Sequence, residues 1–329
     1  MPKPIGISAS RGAAILGVSD YKTRVEAWLE LMEDIEPGFC AAAGYETPVR
    51  EYTAAMRWGH AAEGHIARHA GEITDREAYF AEQYPESGLQ ITCHIDGKYP
   101  GGHLHEGKTT TEMAYRIKWG EPGTDRIPSE YQVQVQHQMT LTGAQSCTVS
   151  VLVWPQAPAT WEAAGLYPDS VPEELTPPEG ITCRAIDTGR WIDVLVEMGY
   201  FHQYHVEADI VSMSAIHDAY RDFWSRYVRT RTPPPVSGYE DVRRLFREPV
   251  GTLIASPDVA RWVDEYRGIN DEIKPSGRLG KRKDELKTLI LDWARKQDDY
   301  ALDEEAQEKV IIRDGAGKKL AQFDGKTFR

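Results

Sequence analysis

The feature that most restricts how this chain can fold is the stretch Cys93 to Lys108, CHIDGKYPGGHLHEGK, where two extended runs flank a turn rich in Gly and Pro. Leu89 to Ile95 reads as a strand, Gly97 to Gly102 supplies the turn chemistry of a hairpin, and His103 to Thr109 reads as the returning strand. Side chains alternate faces along a strand, so Glu106 and Lys108 share one face while Gly107 points away, and Asp96 meets them across the pair. Two carboxylates beside an ammonium suit phosphodiester hydrolysis. The carboxylates are hard oxygen ligands for Mg²⁺ or Mn²⁺, and a lysine orients an attacking water and favours its deprotonation. An Asp…Glu-x-Lys this short also occurs in plain solvated hairpins, so it needs support from other stretches.

Three further blocks give that support. They are Ile7-Ser8-Ala9-Ser10 with Gly17-Val18-Ser19-Asp20-Tyr21-Lys22, Trp58-Gly59-His60-Ala61-Ala62-Glu63, and Tyr131-Gln132-Val133-Gln134-Val135-Gln136-His137-Gln138. With Asp96-Gly97 and Glu106-Gly107-Lys108 between the last two, the chain resembles the PD-(D/E)xK nucleases, and within them the YqaJ and lambda exonuclease group of viral recombinases. The likeness covers about residues 3 to 154 and weakens onward to Trp224. There are two departures. Ile95 stands where the name-giving Pro often sits, and Gly107 replaces the usual apolar residue between Glu and Lys, which loosens the strand because Gly weakens a strand interior. Neither removes a ligand.

The resemblance implies a restriction-endonuclease-like α/β (α+β) fold with a mixed central sheet flanked by helices. It makes Asp96 and Glu106 the Mg²⁺ ligands, with Mn²⁺ as the substitute and Glu63 in or next to the ligand set. Lys108 activates water and Gln134 orients it or bonds a phosphate oxygen. Ser10 and Lys3 take the terminal 5′-phosphate. Residue chemistry points the same way for the helix that follows Ser8 or Ser10, since a helix N-terminus flanked by Lys3 and Arg11 is an anion seat; a plain helix cap fits those residues equally well. The implied activity is exonucleolytic hydrolysis of linear duplex DNA, 5′→3′, leaving 3′ single strands for an annealing protein. The implied assembly is a homo-trimer ring, into whose channel Lys22, Arg24 and Lys118 would bring positive charge.

Composition narrows the setting. The 329 residues are enough for one large domain and a small one, and 41% of them are hydrophobic, enough for a packed core. A net charge of −13 argues against broad electrostatic coating of DNA, so contact is expected in a local basic cleft. Cys40, Cys93, Cys147 and Cys183 lack the close spacing of a zinc site or an iron–sulfur cluster, and neither is expected. The N-terminus has no apolar signal-like run and no stretch approaches a membrane span, so the expected place is the bacterial cytoplasm, with a phage or prophage origin implied by the resemblance.

Along the chain, Thr23 to Glu33 carries a helical stripe of Val25, Trp28, Leu29 and Met32, and Ile35 to Pro48 reads as loop. Val49 to Ala70 reads as a long helix on which Gly59 permits close approach to the sheet and Glu63 lies one turn further on the same face. Tyr131 to Leu141 alternates like a strand, but a start signal at Ile127-Pro128-Ser129-Glu130 and helix-favouring Gln and Met, with the family likeness, make it a helix; Tyr131 and His137 fit either the lining of the site or packing, with packing preferred. Ala144 to Trp154 is a buried strand, and strand-like patterns recur at Ile181 to Ile186, Trp191 to Val196 and Tyr200 to Val206 before a helix at Met213 to Tyr227. The expected division is a nuclease domain at 1–232 with a surface insertion at 155–180, a linker at 233–250 that opens on Pro233-Pro234-Pro235, and a helical-hairpin module at 251–329. That module shows charged helices at Asp258 to Tyr266 and Arg282 to Gln297 and a hairpin around Asp314-Gly315. Two other functions fit the same residues: an endonuclease of this fold acting on internal or branched DNA, and a non-cleaving DNA-binding protein whose site is weakened by Gly107.

Overall fold

The structure is a computed structural model that describes all residues except 1–4, 50–52, 75–77, 85–86, 156–187, 247–250, 272–276, 298–308, 325–326 and 329. The chain divides into two compact units, Met1–Tyr21 with Val49–Ser225, and Lys22–Pro48 with Arg226–Arg329. In chain order the helices are α1 (Ala9–Leu16), α2 (Arg24–Ile35), α3 (Phe39–Ala43), α4 (Ala54–Ala70), α5 (Glu112–Lys118) and α6 (Ser129–Thr142). They continue as α7 (Thr188–Glu197), α8 (Ile210–Phe223), α9 (Tyr239–Leu245), α10 (Pro257–Asp271) and α11 (Gly277–Arg295). Among the described residues no helix is long and apolar enough to cross a membrane.

The first unit is built on two mixed sheets flanked by helices, the α/β architecture that the sequence implied. In one, β1 (Ile7–Ser8) pairs parallel with β3 (Leu89–Ile95), whose other edge takes β2 (Ala78–Tyr84) antiparallel. In the other the order is β4 (Gly97–Lys98), β5 (Leu104–Thr111), β6 (Ser146–Trp154) and β7 (Phe201–Glu207), with β5 and β6 parallel and the outer pairs antiparallel. One apolar core joins Cys93 and Ile95 of β3 to Val149 and Val151 of β6, Tyr204 and Val206 of β7, and Val135 and Met139 of α6. A second core clusters Trp58 of α4, Trp154 of β6 and Trp191 of α7, whose ring centroids lie 4.3 to 5.3 Å apart edge to face.

The helix over Tyr131 to Leu141 forms despite its alternating sequence. Val133 and Val135 through Met139 are all buried, so α6 is enclosed on most sides and its glutamines find polar partners inside instead of forming a wet face. Gly12 of α1 is needed for close approach, because a Cβ there would stand 2.1 Å from the Tyr220 hydroxyl of α8.

Some expected elements differ. Trp191 to Val196 lies in α7, where Trp191, Ile192 and Leu195 fall on one buried helical stripe and outweigh the β-branched composition. Ile35 to Pro48 contains the short helix α3, and the stretch read as a linker contains α9. The helix expected from Met213 starts at Ile210, is capped by the Asp209 carboxylate and runs on into a π-helical turn at Trp224–Val228. Of the proposed insertion, residues 156–180 lie outside the described residues, as do Ile181 to Ile186, Cys183 and Lys3. Cys40, Cys93 and Cys147 are free and buried.

In the second unit, α2 starts on a capping box between Thr23 and Glu26. The expected charged helices are α10 and α11, and the expected hairpin is β9 (Val310–Arg313) with β10 (Lys319–Phe323). A strand not anticipated, β8 (Gly251–Ile254), pairs parallel with β9. Val242 of α9, Val263 of α10, Leu286 and Ile290 of α11, and Ile312 and Phe323 of the sheet share one core. The buried Asp241 accepts hydrogen bonds from the Thr23 hydroxyl, the Ser237 amide and the Ser237 hydroxyl.

Candidate active site

The expected hairpin is only two residue pairs long. Gly97 and Lys98 pair with His105 and Leu104, while β3 leaves for the other sheet, so Asp96 sits at the fork where the two sheets part. This fork makes the site. The Gly107 backbone N–H points to the edge that β4 no longer covers and donates to Asp96 Oδ2 at 2.7 Å, so the carboxylate replaces a missing strand partner.

Glu106 projects to the side of α6 and is 2% exposed. Lys108 Nζ and Gln134 Nε2 both donate to its Oε1, and Gln138 Nε2 donates to its Oε2 at 2.7 Å. Gln134 and Gln138 are one helical turn apart on α6, so both reach the same carboxylate. Gln138 was not anticipated; the i, i+4 spacing from Gln134 was the signal that could have found it. The same amide also donates to the His94 carbonyl at 2.9 Å, which ties α6 to β3.

Electrostatics follow from burial. The Asp96 carboxyl is pushed up to about 6 by desolvation first, against the pull of Lys108, with Glu63 adding to the rise. Burial and Asp96 also raise the Glu106 carboxyl. For Lys108, burial opposes the charge, but Glu106 and Asp96 outweigh it and hold the ammonium above its ordinary value. The Lys108 ammonium is thereby paired with the Glu106 carboxylate. It also stands 5.0 Å from the centroid of the Tyr131 ring, which favours the site-lining one of the two readings of Tyr131. His137 is packing, as expected: it is wholly buried between the Tyr220 hydroxyl and the Thr92 carbonyl.

Asp96, Glu106, Lys108 and Tyr131 line a pocket of about 420 Å³ together with Tyr21 and Glu63. Glu63 reaches it from α4, where His60 Nδ1 lies 3.7 Å from its carboxylate. Gly59 of α4 and Gly107 of β5 both lie where this helix meets the strand. A Cβ on Gly59 would make an ordinary 3.5 Å contact with Thr109 Oγ1, whereas one on Gly107 would lie 3.3 Å from Ile66 Cγ2 and 3.5 Å from Asp96 Oδ2. Gly107→Val should therefore displace Asp96 or α4 and lower stability by about 1–3 kcal/mol, measured by urea unfolding, while Gly107→Ala stays near wild type.

Ser10 is exposed on the first turn of α1 and lines a second pocket, of about 230 Å³, with Ser8, Tyr79, His94, Asp96 and Gln134. Asp96 borders both pockets. The Ser8 hydroxyl lies 3.1 Å from that of Ser10 and does not cap the helix. Arg11 does not join Ser10; it is buried, and its guanidinium donates to the Gly6 carbonyl. Lys118 pairs with Asp20 at 2.7 Å, and in the other unit Lys22 pairs with Glu30 at 2.7 Å. A larger pocket of about 660 Å³ lies elsewhere, lined by Asp125, Gln136, Glu207 and Asp209, but Gln136 is spent on the Asp209 amide and the Glu207 carbonyl.

The donor chemistry fits a small hard dication. Asp96, Glu106 and Glu63 are carboxylates on one pocket, and their mutual repulsion in a buried place is what a cation would relieve. Among the described residues no three His, Cys, Asp or Glu side chains already form a metal cluster. Solvent or substrate oxygens would complete the coordination, as is usual for Mg²⁺.

Among curated proteins none matches this chain. Solved structures with a related chain path include an alkaline exonuclease, LHK-Exo, from Laribacter hongkongensis, at 19% identity and a TM-score of 0.42 over 69% of this chain and 92% of that one. LHK-Exo in complex with dAMP gives 17% and 0.41 over 68% and 89%, and a phage-related exonuclease from Haemophilus somnus gives 12% and 0.42 over 69% and 96%. Residues 3–145 match the model of the YqaJ-like viral recombinase domain, and this stretch supplies the site residues from Ser10 to Gln138.

Proposed function

We propose that the chain is a metal-dependent DNA exonuclease that hydrolyses linear duplex from its ends, 5′→3′, inside the cell. The observation that carries this reading is the convergence of Asp96, Glu106, Lys108 and Gln134 at the fork between the two sheets. Mg²⁺ held by Asp96 and Glu106, with Glu63 beside them, would supply Lewis acidity toward the phosphodiester. Lys108, kept charged by its carboxylates, presents a fixed positive charge to the developing negative charge on the phosphate and to an attacking water. Gln134 holds Glu106 in place and offers its amide toward the same pocket system. Tyr131 shields one side of the ammonium from solvent.

Incubation with Mg²⁺ of a linear duplex, the same duplex with 5′-hydroxyl ends, and a closed circle tests the reading. Degradation of the linear forms and survival of the circle is expected; cutting of the circle would replace the exonuclease with an endonuclease, and no cleavage of any form would leave a DNA-binding protein.

Ser10, at the free end of α1 and in the pocket that Asp96 shares, is assigned to the terminal 5′-phosphate. A 5′-hydroxyl end should be degraded about 10-fold more slowly, because a charged acceptor for the helix amides and the serine hydroxyl is missing. Ser10→Ala should narrow that difference, and equal rates on both ends in wild type and variant would reduce Ser10 to the start of a helix. Release of 3′ single strands to an annealing protein, and closure of subunits into a trimeric ring, extend the same reading. Mass photometry across the working concentration range tests the ring.

A further inference from the structure

We propose that Tyr79 and His94 form a stacking shelf for the base of the terminal nucleotide, a subsite that rests on the nuclease reading above. The two are direct cross-strand partners on β2 and β3, with ring centroids 4.6 Å apart and planes tilted by 38°. Tyr79 is 55% exposed, so the aromatic pair presents a face to solvent on an otherwise acidic molecule. Both rings line the pocket of about 230 Å³ that also holds Ser10, Asp96 and Gln134. His94 stands two residues before Asp96 on the same run of chain. Asp96 lies just past the end of β3, and the two residues line the same pocket.

A terminal nucleotide whose phosphate sits at Ser10 therefore has its base within reach of the shelf, since all three residues line one pocket. Among the described residues the pocket lining contains no Arg or Lys fork that would read a base edge. An aromatic face accepts any base, because every base has a π-face, so the shelf would hold the end of the strand without reading its sequence. An enzyme that removes nucleotides in succession needs that tolerance. The alternative account of the pair is cross-strand packing that only stabilises the edge of the sheet.

The two accounts separate on an abasic end. The rate kcat/KM is measured for the full chain, as wild type, Tyr79→Leu and Tyr79→Phe, on 5′-phosphorylated duplex whose terminal nucleotide carries a base or lacks it. The abasic end should slow the wild type about 10-fold, and Tyr79→Leu should slow the intact end by a similar factor. The two losses should not multiply when combined, and Tyr79→Phe should behave as wild type. Independent, multiplying effects, or a neutral Tyr79→Leu on intact ends, would overturn the shelf. In a separate arm, terminal 2-aminopurine should be quenched on binding to wild type in EDTA and not on binding to Tyr79→Leu. Quenching without any turnover in Mg²⁺ would reject the nuclease reading and keep the shelf, while turnover without quenching would do the reverse.

Discussion

Lys108→Met is expected to lower phosphodiester cleavage by roughly 100- to 1000-fold, the cost of removing one preorganised charge-stabilising group, while end binding persists. The reason is geometric. The ammonium is held by Glu106 on one side and by the Tyr131 ring on the other, so it cannot be replaced by a mobile solvent cation in the same position. The substitution also leaves Glu106 buried without its ion pair, and breaking a buried pair from one side destabilises more than the pair itself contributes. Glu106 can answer by taking up a proton, since burial and Asp96 already raise its carboxyl. The double variant Lys108→Met with Glu106→Gln removes both charges together and should recover thermal stability without recovering cleavage. Single-turnover rates, end-binding titrations and thermal unfolding on the three proteins separate the two effects. Near wild-type cleavage by Lys108→Met would remove the lysine from the mechanism.

How much of this was legible beforehand depends on the range of the interaction. Asp96, Glu106 and Lys108 were legible because they lie within thirteen positions of one another on a short hairpin, and local alternation alone brings Glu106 and Lys108 to one face. The helical state of α6 was legible only through its start signal and the family likeness, since its burial on most sides erases the helical period. Gln138 was overlooked because a buried glutamine gains its meaning from a carboxylate 32 residues away in sequence. Arg11 misled for the matching reason: its charge suggested an anion seat, whereas its guanidinium turns inward to the Gly6 carbonyl. The role of Gly107 was the hardest to foresee. It read as a weakened strand, yet its amide holds Asp96 and its missing side chain leaves room for Ile66. In the second unit, β8 is four residues long and pairs with a strand nearly sixty residues later, too short a run to announce itself by pattern.

Acid lability is the second large effect expected, and it arises at His137. This imidazole is 0% exposed and satisfied as a neutral ring: Nε2–H donates to the Thr92 carbonyl, and Nδ1 accepts from the Tyr220 hydroxyl. Burial, with the neighbouring His217 adding to it, pushes its pKa down to about 3. In the unfolded chain the ring titrates near ~6.5. Between those two values the unfolded state binds the extra proton, so the contribution of His137 is intact above pH ~6.5 and is lost progressively as the pH falls below it. At pH 5 the loss is roughly 2 kcal/mol. Asp96 acts in the opposite sense. Its folded pKa of about 6 lies above the unfolded value, so the folded state takes up the proton first and gains stability as pH falls through that range. The raw pH dependence of the wild type therefore mixes both terms, and the comparison with a variant isolates one. His137→Gln keeps a donor and an acceptor but cannot titrate. It should be less stable than wild type at pH 7.5, and the gap should narrow by about 2 kcal/mol at pH 5 in urea unfolding. A gap that is the same at both pH values would show that His137 takes up a proton as readily inside the fold as outside it.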